Sequence, residues 1–241
     1  MPGTLYLIPN TLGETVSLDH VIPTHVQATT AQLTHFVAEN AKTARAFLKL
    51  VNAAHPLAVP LQEIAIAELN VNTKAEALAG LLAPLLAGHD VGLLSEAGVP
   101  AVADPGADLV RLAHKEGIAV RPLVGPSSLL LAVMASGLNG QSFAFNGYLP
   151  TDAAARTKRI RDLETRSRQE KQTQLFIETP YRNGQMLEAL VGACQPGTLI
   201  CVATDISLAS ETIRTQTAAQ WKSTTPPDFH KKPTVFLLLA Q

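Results

Sequence analysis

Leu94-Ser95-Glu96-Ala97-Gly98-Val99-Pro100-Ala101-Val102-Ala103-Asp104-Pro105-Gly106 is the stretch that decides how this chain folds. It leaves an apolar run, Asp90 to Ser95, that reads as a buried strand, and it enters a helical pattern at Gly106. Two glycines, two prolines and two carboxylates lie within it. Such a loop sits at the C-terminal edge of a parallel sheet, where open α/β folds place their ligands. Glycine lets backbone approach a ligand closely, and proline stiffens the path. The same residues also suit a long rigid turn in which Asp104 caps the next helix. Residue types alone leave both readings open.

Outward from this loop, short apolar runs alternate with longer helical patterns, which predicts an α/β fold with a mainly parallel N-terminal sheet. Strands are expected at Thr4 to Pro9, His35 to Glu39, Leu57 to Leu61 and Ile118 to Val124. A helix is expected over Thr73 to Ala87, with Leu78, Leu81, Leu82 and Leu85 on one face and a kink at Pro84. Others run from Gly106 to Lys115 and from Ser127 onward, with Ser127 suited to an N-cap. Gly137-Leu138-Asn139-Gly140 reads as a linker. It divides an N-terminal α/β lobe, 1–138, from a C-terminal α/β lobe, 141–241. In the second lobe strands are expected at Phe143 to Tyr148, Thr173 to Glu178, Thr198 to Thr204, Glu211 to Thr217 and Thr234 to Leu239. Helices are expected at Thr151 to Arg168 and Arg182 to Cys194.

Composition removes several classes of function. The chain has 241 residues, 46% of them hydrophobic, enough for a core in each half, and a formal net charge of −1. A global basic excess of the kind seen in proteins that live on nucleic acid is absent, so any such contact must be local. Cys194 and Cys201 sit among apolar neighbours and read as buried structural thiols. The seven histidines lack metal-ligand spacing. No dinucleotide fingerprint, phosphate-binding Gly-Lys-Ser/Thr loop or nucleophile elbow occurs. No apolar run approaches the roughly 20 residues needed to span a bilayer, and the N-terminus shows no targeting pattern, so the expected location is the cytoplasm.

Two further loops sit at the same predicted sheet edge. Ile8-Pro9-Asn10-Thr11-Leu12-Gly13 follows the first strand. Leu123-Val124-Gly125-Pro126-Ser127-Ser128 follows another and opens a helix, offering backbone N–H groups and hydroxyls at a positive helix end. A plain helix start explains the second loop equally well. Three such loops at one edge carry more information than any one of them.

Together these motifs resemble the tetrapyrrole methylase superfamily of S-adenosylmethionine-dependent methyltransferases, and within it the branch that methylates a cytidine ribose in small-subunit ribosomal RNA. The resemblance rests on Ser95-Glu96-Ala97-Gly98-Val99-Pro100 followed by Asp104-Pro105-Gly106. It continues through Gly125-Pro126, Gly147-Tyr148-Leu149-Pro150 and Glu178-Thr179-Pro180-Tyr181-Arg182, all in family order. It implies a mixed C-terminal sheet, S-adenosylmethionine held in a cleft between the lobes, and a homodimer. By resemblance the cofactor contacts are Leu12, Gly98, Val99, Pro100, Val102, Ser127, Ser128, Ile177, Ala203 and Thr234, largely through backbone. No metal is implied. The pattern departs from the branch at Asn40 and Lys42, where the branch carries Asp and Arg, at Glu14, at Ala203 to Leu208, and at Lys232-Pro233.

The reaction so implied needs a hydroxyl aligned with a methyl donor and a group to take its proton. Candidate catalytic residues are Glu39, Glu96 and Asp104, with Glu178 and Arg182 as positioning groups; for each, a structural cap or ion pair is the alternative. Between Arg156 and Lys171 seven basic residues (Arg156, Lys158, Arg159, Arg161, Arg166, Arg168, Lys171) face three acids. A cationic helix of this kind can meet RNA phosphates. It can equally be a solvated helix laced by Lys158–Asp162 and Arg166–Glu170 pairs. No aromatic residues are interleaved there for base stacking. Methylation of a small molecule such as a tetrapyrrole, or cofactor binding without transfer, are the competing readings.

Overall fold

The computed structural model describes all residues except Thr15, Val16 and the side chain of Ala75. The chain divides into two compact units, Met1–Ser127 and Ser128–Gln241. Among the described residues no helix is long and apolar enough to cross a membrane.

In the first unit β1 (Thr4–Ile8), β2 (His35–Ala38), β3 (Ala65–Glu68), β4 (Val91–Leu94) and β5 (Ala119–Pro122) form one sheet in the order β3-β2-β4-β1-β5. Every pairing in it is parallel. α1 (Thr24–Ala31), α2 (Ala41–Ala54), α3 (Ala75–Leu81), α4 (Ala83–Leu86) and α5 (Gly106–Lys115) connect the strands. Two apolar clusters hold the helices to the sheet. One joins Ile8, Phe36, Phe47, Leu48 and Leu94, and the other Leu5, Leu82, Leu85, Leu93 and Leu109. β4 is buried along its whole length, as a central strand covered on both faces must be.

Three expectations need correction. The third strand is Ala65–Glu68, not Leu57 to Leu61, because Pro60 cannot donate to a ladder and the chain makes a short 3-10 turn at Leu61–Glu63 instead. The long helix expected over Thr73 to Ala87 breaks at Leu82, and Pro84 falls in the first turn of α4, where its missing N–H is harmless. Asp104 does not cap α5: the position before that helix is Pro105, with no side-chain cap.

The second unit contains α6 (Ser128–Ser136), β6 (Phe143–Tyr148), α7 (Ala153–Glu170), β7 (Thr173–Ile177), α8 (Asn183–Ala193), β8 (Leu199–Thr204), β9 (Thr212–Thr217), α9 (Ala218–Trp221) and β10 (Thr234–Leu239). Its mixed sheet runs β6-β7-β10-β8-β9, with β6 and β7 parallel and the remaining pairs antiparallel. Phe176, Phe236, Leu190, Ile160 and Trp221 centre its core. α6 packs against β8, β9 and β10, so it belongs with this sheet, and the segment Gly137-Leu138-Asn139-Gly140 follows it. Burial pushes the Cys194 thiol up to about 12 and that of Cys201 to about 11, which leaves both as unreactive core thiols.

Candidate active site

The C-terminal ends of β1, β2 and β4 lie in one row, since Ile8 and Ala38 both pair with Leu94. The residues that follow each strand therefore start side by side. Asn10 ties two of these loops together. Its N–H donates to the Gly98 carbonyl at 2.8 Å, and its Nδ2 donates to the carbonyls of Ser95 (3.3 Å) and Glu96 (3.1 Å). The Gly98 N–H returns to the Thr11 carbonyl at 3.3 Å.

Gly98 is where three loops meet. A Cβ placed on it would lie 3.1 Å from Leu12 Cδ2 and 3.4 Å from the Pro126 carbonyl, and its φ of +70° is one that glycine adopts freely. Ala101 and Ala103 also have positive φ, 65° and 63°, so the loop is held in a shape that its side chains disfavour. Strain of this kind persists only where the surroundings over-determine it. Gly98 and Pro100 are buried, Val99 and Leu12 half-buried, and Val102 is 46% exposed, an apolar side chain displayed from a rigid loop. Ser127 ends the first unit and Ser128 opens α6.

The three N-terminal acids share one electrostatic neighbourhood. Burial raises the Asp104 carboxyl to about 6, with the charges of Glu39 and Glu96 adding to the rise and a hydrogen bond from Ser95 opposing it. Glu39 is raised by burial first and by Glu96 second. Asp104 Oδ2 is buried without a hydrogen-bond partner among the described residues. Beside it a cavity of about 10 Å³, lined by Glu39, Ser95 and Asp104 among others, is at the lower limit for one water molecule. Glu96 is exposed, and of the three it alone also lines a groove of about 700 Å³. That groove runs between the first loop and the start of α2. Asn10, Glu14, Asn40, Lys42 and Thr43 give it polar walls, and Phe47 and Leu50 an apolar side.

Asn40 owes its place there to capping: its Oδ1 accepts from the N–H groups of Lys42 (2.8 Å) and Thr43 (3.3 Å). An amide caps as well as a carboxylate would, so Asn40 starts this helix without a charge. Thr43 Oγ1 donates to Glu96 Oε1 at 3.4 Å. The sequence reading passed over Asn10 and Thr43. A polar residue in the first tight turn after a buried strand was the signal available for Asn10.

In the second unit Glu178 follows β7 and is paired with Arg182, whose Nη2 and Nε donate to Glu178 Oε1 at 2.6 and 3.1 Å. The Glu178 side chain is 1% exposed, that of Arg182 28%. The other Glu178 oxygen, Oε2, is buried without a partner among the described residues. Register places Val235 opposite both Ile177 and Ala203, and Thr234 opposite Thr204, so Ile177, Ala203 and Thr234 cluster at one end of neighbouring strands. Ala203 and Thr234 are buried, and the Thr234 hydroxyl is engaged by Asn183 and Thr204.

On α7 the basic set is smaller than the sequence implies. Arg156 is buried, 8% exposed, and donates to the Thr151 carbonyl, so it is removed from any phosphate-facing surface. Arg166 pairs with Glu170, Arg159 donates to Asn146 Oδ1, and Arg168 to the Gln241 carbonyl. No Lys158–Asp162 pair is found among the described residues.

A wholly parallel sheet carrying rigid Gly-Pro loops at its C-terminal edge, followed by a mixed α/β unit, is the architecture of a known class of methyltransferase. The chain belongs to it: the model of the tetrapyrrole (corrin/porphyrin) methylases matches residues 26–221. Within that class its relatives are more particular. It is 30% identical to the ribosomal RNA small subunit methyltransferase I of Xylella fastidiosa, over 100% of this chain and 82% of that one. It is 31% identical to the protein of the same name from Vibrio cholerae, over 72% of this chain and 62% of the relative. Among solved structures it is similar to the methyltransferase CobJ, with a TM-score of 0.62, 20% identity, and coverage of 99% and 94%. The cobalt precorrin-4 methyltransferase CbiF gives 0.61 at 15% identity, with coverage of 98% and 94%.

Proposed function

We propose that this methyltransferase uses S-adenosylmethionine to methylate a ribose 2′-hydroxyl of small-subunit ribosomal RNA. The residues fit the cofactor: Gly98 leaves a cradle beside Leu12 and Pro126 that a side chain would fill, and Val102 displays apolar surface of the kind an adenine ring needs. Leu12, Gly98, Val99, Pro100, Val102 and Ser127 would hold it from the first unit. Ser128, Ile177, Ala203 and Thr234 would hold it from the second. When bound, it supplies an electrophilic methyl group on a sulfonium.

The single observation that carries the catalytic reading is the double membership of Glu96. It belongs to the acid cluster with Glu39 and Asp104, and it faces the groove. An acceptor hydroxyl entering that groove would meet Glu96 as the group that takes its proton. The charge of Glu96 raises both Glu39 and Asp104, so the three acids act as one electrostatic cluster beside the groove. Thr43, through its hydrogen bond, fixes Glu96. Lys42, at the wall of the groove, is placed to meet a phosphate. Glu178 and Arg182 form an ion pair that rigidifies the turn after β7, a positioning role.

Lys158 and Arg161, exposed on α7 without an ion-pair partner among the described residues, are the leading RNA phosphate contacts of that helix, with Arg159, Arg166 and Arg168 beside them. The expected assembly is a homodimer in the cytoplasm. Transfer of tritium from labelled S-adenosylmethionine to small ribosomal subunits that lack the modification tests the reading. Label in the RNA is the expected result. Tight cofactor binding with no label in RNA overturns the RNA acceptor.

A further inference from the structure

Tyr181 and Lys231 lie fifty positions apart in the sequence, and the fold of the second unit joins them. Tyr181 stands in the turn after β7 and is 72% exposed. The Lys231 ammonium nitrogen lies over its ring, 5.8 Å from the centroid. The backbone joins the two loops directly, since the Lys231 N–H donates to the Pro180 carbonyl at 3.2 Å.

Neither loop is left to find its own shape. Buried Asn183 spans the Lys231 loop, its Nδ2 donating to the carbonyls of Phe229 (2.8 Å) and Lys232 (2.9 Å) and to Thr234 Oγ1 (3.1 Å). Phe229 is itself buried in the core of the unit. Lys231 is held at a φ of +60°, a conformation a residue of its type seldom adopts. The flanking cations are neutralised: Arg182 by Glu178, and Lys232 by Asp205 and Asp228. Among the described residues Lys231 forms no ion pair, so its charge is available.

An exposed aromatic ring on a tied-down turn, with a cation outside any ion pair beside it, matches what unpaired nucleotides bind. Every base has a π-face to stack, stacking tolerates sequence, and a neighbouring cation meets the phosphate. Because the backbone of both loops is already tied down, little of it has to be ordered on binding. We propose that Tyr181 and Lys231 form a docking platform for an unpaired nucleotide of the RNA substrate, with Tyr181 stacking on the base and Lys231 meeting the adjacent phosphate. The proposal rests on the RNA reading given above, and it supplies the aromatic surface that the basic segment Arg156–Lys171 lacks.

The test is binding of a fluorescein-labelled oligouridylate, followed by anisotropy across a salt series, for the wild type, Tyr181→Ala, Tyr181→Phe and Lys231→Ala. Thermal melting of each variant checks that the fold is kept, as the exposure of both side chains predicts. Tyr181→Ala is expected to weaken binding about tenfold, within the range found for loss of one stacked base. Tyr181→Phe is expected to retain affinity. Lys231→Ala is expected to lower the slope of log affinity against log salt by about one. If the wild type binds the RNA and Tyr181→Ala binds it equally well, the platform is wrong and the RNA reading stands. If the wild type binds neither the oligouridylate nor ribosomal RNA, the RNA reading falls and takes the platform with it.

Discussion

Asn10 and Gly98 are locked backbone to backbone, Asn10 donating to the Gly98 carbonyl at 2.8 Å while its side chain reaches the carbonyls of Ser95 and Glu96. One asparagine thus fixes the loop after β1 against the loop after β4. Its groups are buried, so they compete little with water, and an unmade bond there would leave a polar group stranded. The shape of the proposed cofactor surface is therefore set before any ligand arrives.

Gly98→Ala tests that shape. The new Cβ would press on Leu12 at 3.1 Å and occupy a φ of +70°. The left-handed conformation costs an alanine about 1–2 kcal/mol. Calorimetric titration with S-adenosylhomocysteine should show affinity reduced about tenfold or more, since each 1.4 kcal/mol is a factor of ten. Unchanged affinity would place the cofactor elsewhere.

Asp104→Asn reads the acid cluster through stability. The folded-state carboxyl, at about 6, lies above its ordinary value of 3.8, so the folded protein holds a proton that the unfolded chain has released between those two pH values. Stability therefore falls as pH rises from about 4 to about 6 and stays lowered above that. The Asn variant carries no such charge. Its melting temperature should exceed that of the wild type at pH 7.5, and the advantage should disappear near pH 4. An equal pH dependence in both proteins would show that Asp104 is not held in the raised state.

Glu96→Gln separates chemistry from cofactor binding. Loss of a group that takes a proton in the transition state typically slows a reaction about a hundredfold or more. The expected outcome is that loss in kcat with cofactor affinity unchanged, measured by single-turnover tritium transfer. A variant with wild-type kcat would assign the proton to another residue.

Arg182→Met addresses the second unit. It leaves the Glu178 side chain, 1% exposed, without its cation. Removing one partner of a buried pair costs about 3–5 kcal/mol. Denaturant unfolding should show a loss of about 3 kcal/mol, partly restored by adding Glu178→Gln. No loss would mean that the buried carboxylate is satisfied in another way.

Much of this was legible in the sequence. β1, β4, α5, β6 and β10 fall where the pattern places them: β4 and β10 are buried runs, β1 and β6 are short runs rich in apolar and aromatic residues, and α5 is a clean helical pattern that opens at Gly106. β3 was not, since its residues, Ala65–Glu68, are mostly exposed at the edge of the sheet and carry no apolar alternation. α1 was hidden by its threonines and Gln27, whose burial depends on partners such as Ile22 and Val26 that periodicity cannot reveal. The three loops at the sheet edge were legible as a group. Their join at Gly98 was not, because it depends on Asn10, a contact across 88 residues. The same limit hid the Tyr181–Lys231 pair and made Arg156 look available when it is buried. Charge is written in the sequence, but exposure is a property of the packed helix.

The most direct measurement is isothermal titration calorimetry of the purified protein with S-adenosylmethionine and S-adenosylhomocysteine, accompanied by thermal melting. A saturable heat with one site per chain and a raised melting temperature are predicted. No heat and no shift with either nucleoside at saturating concentration would contradict the pocket, and with it the methyl transfer built on it.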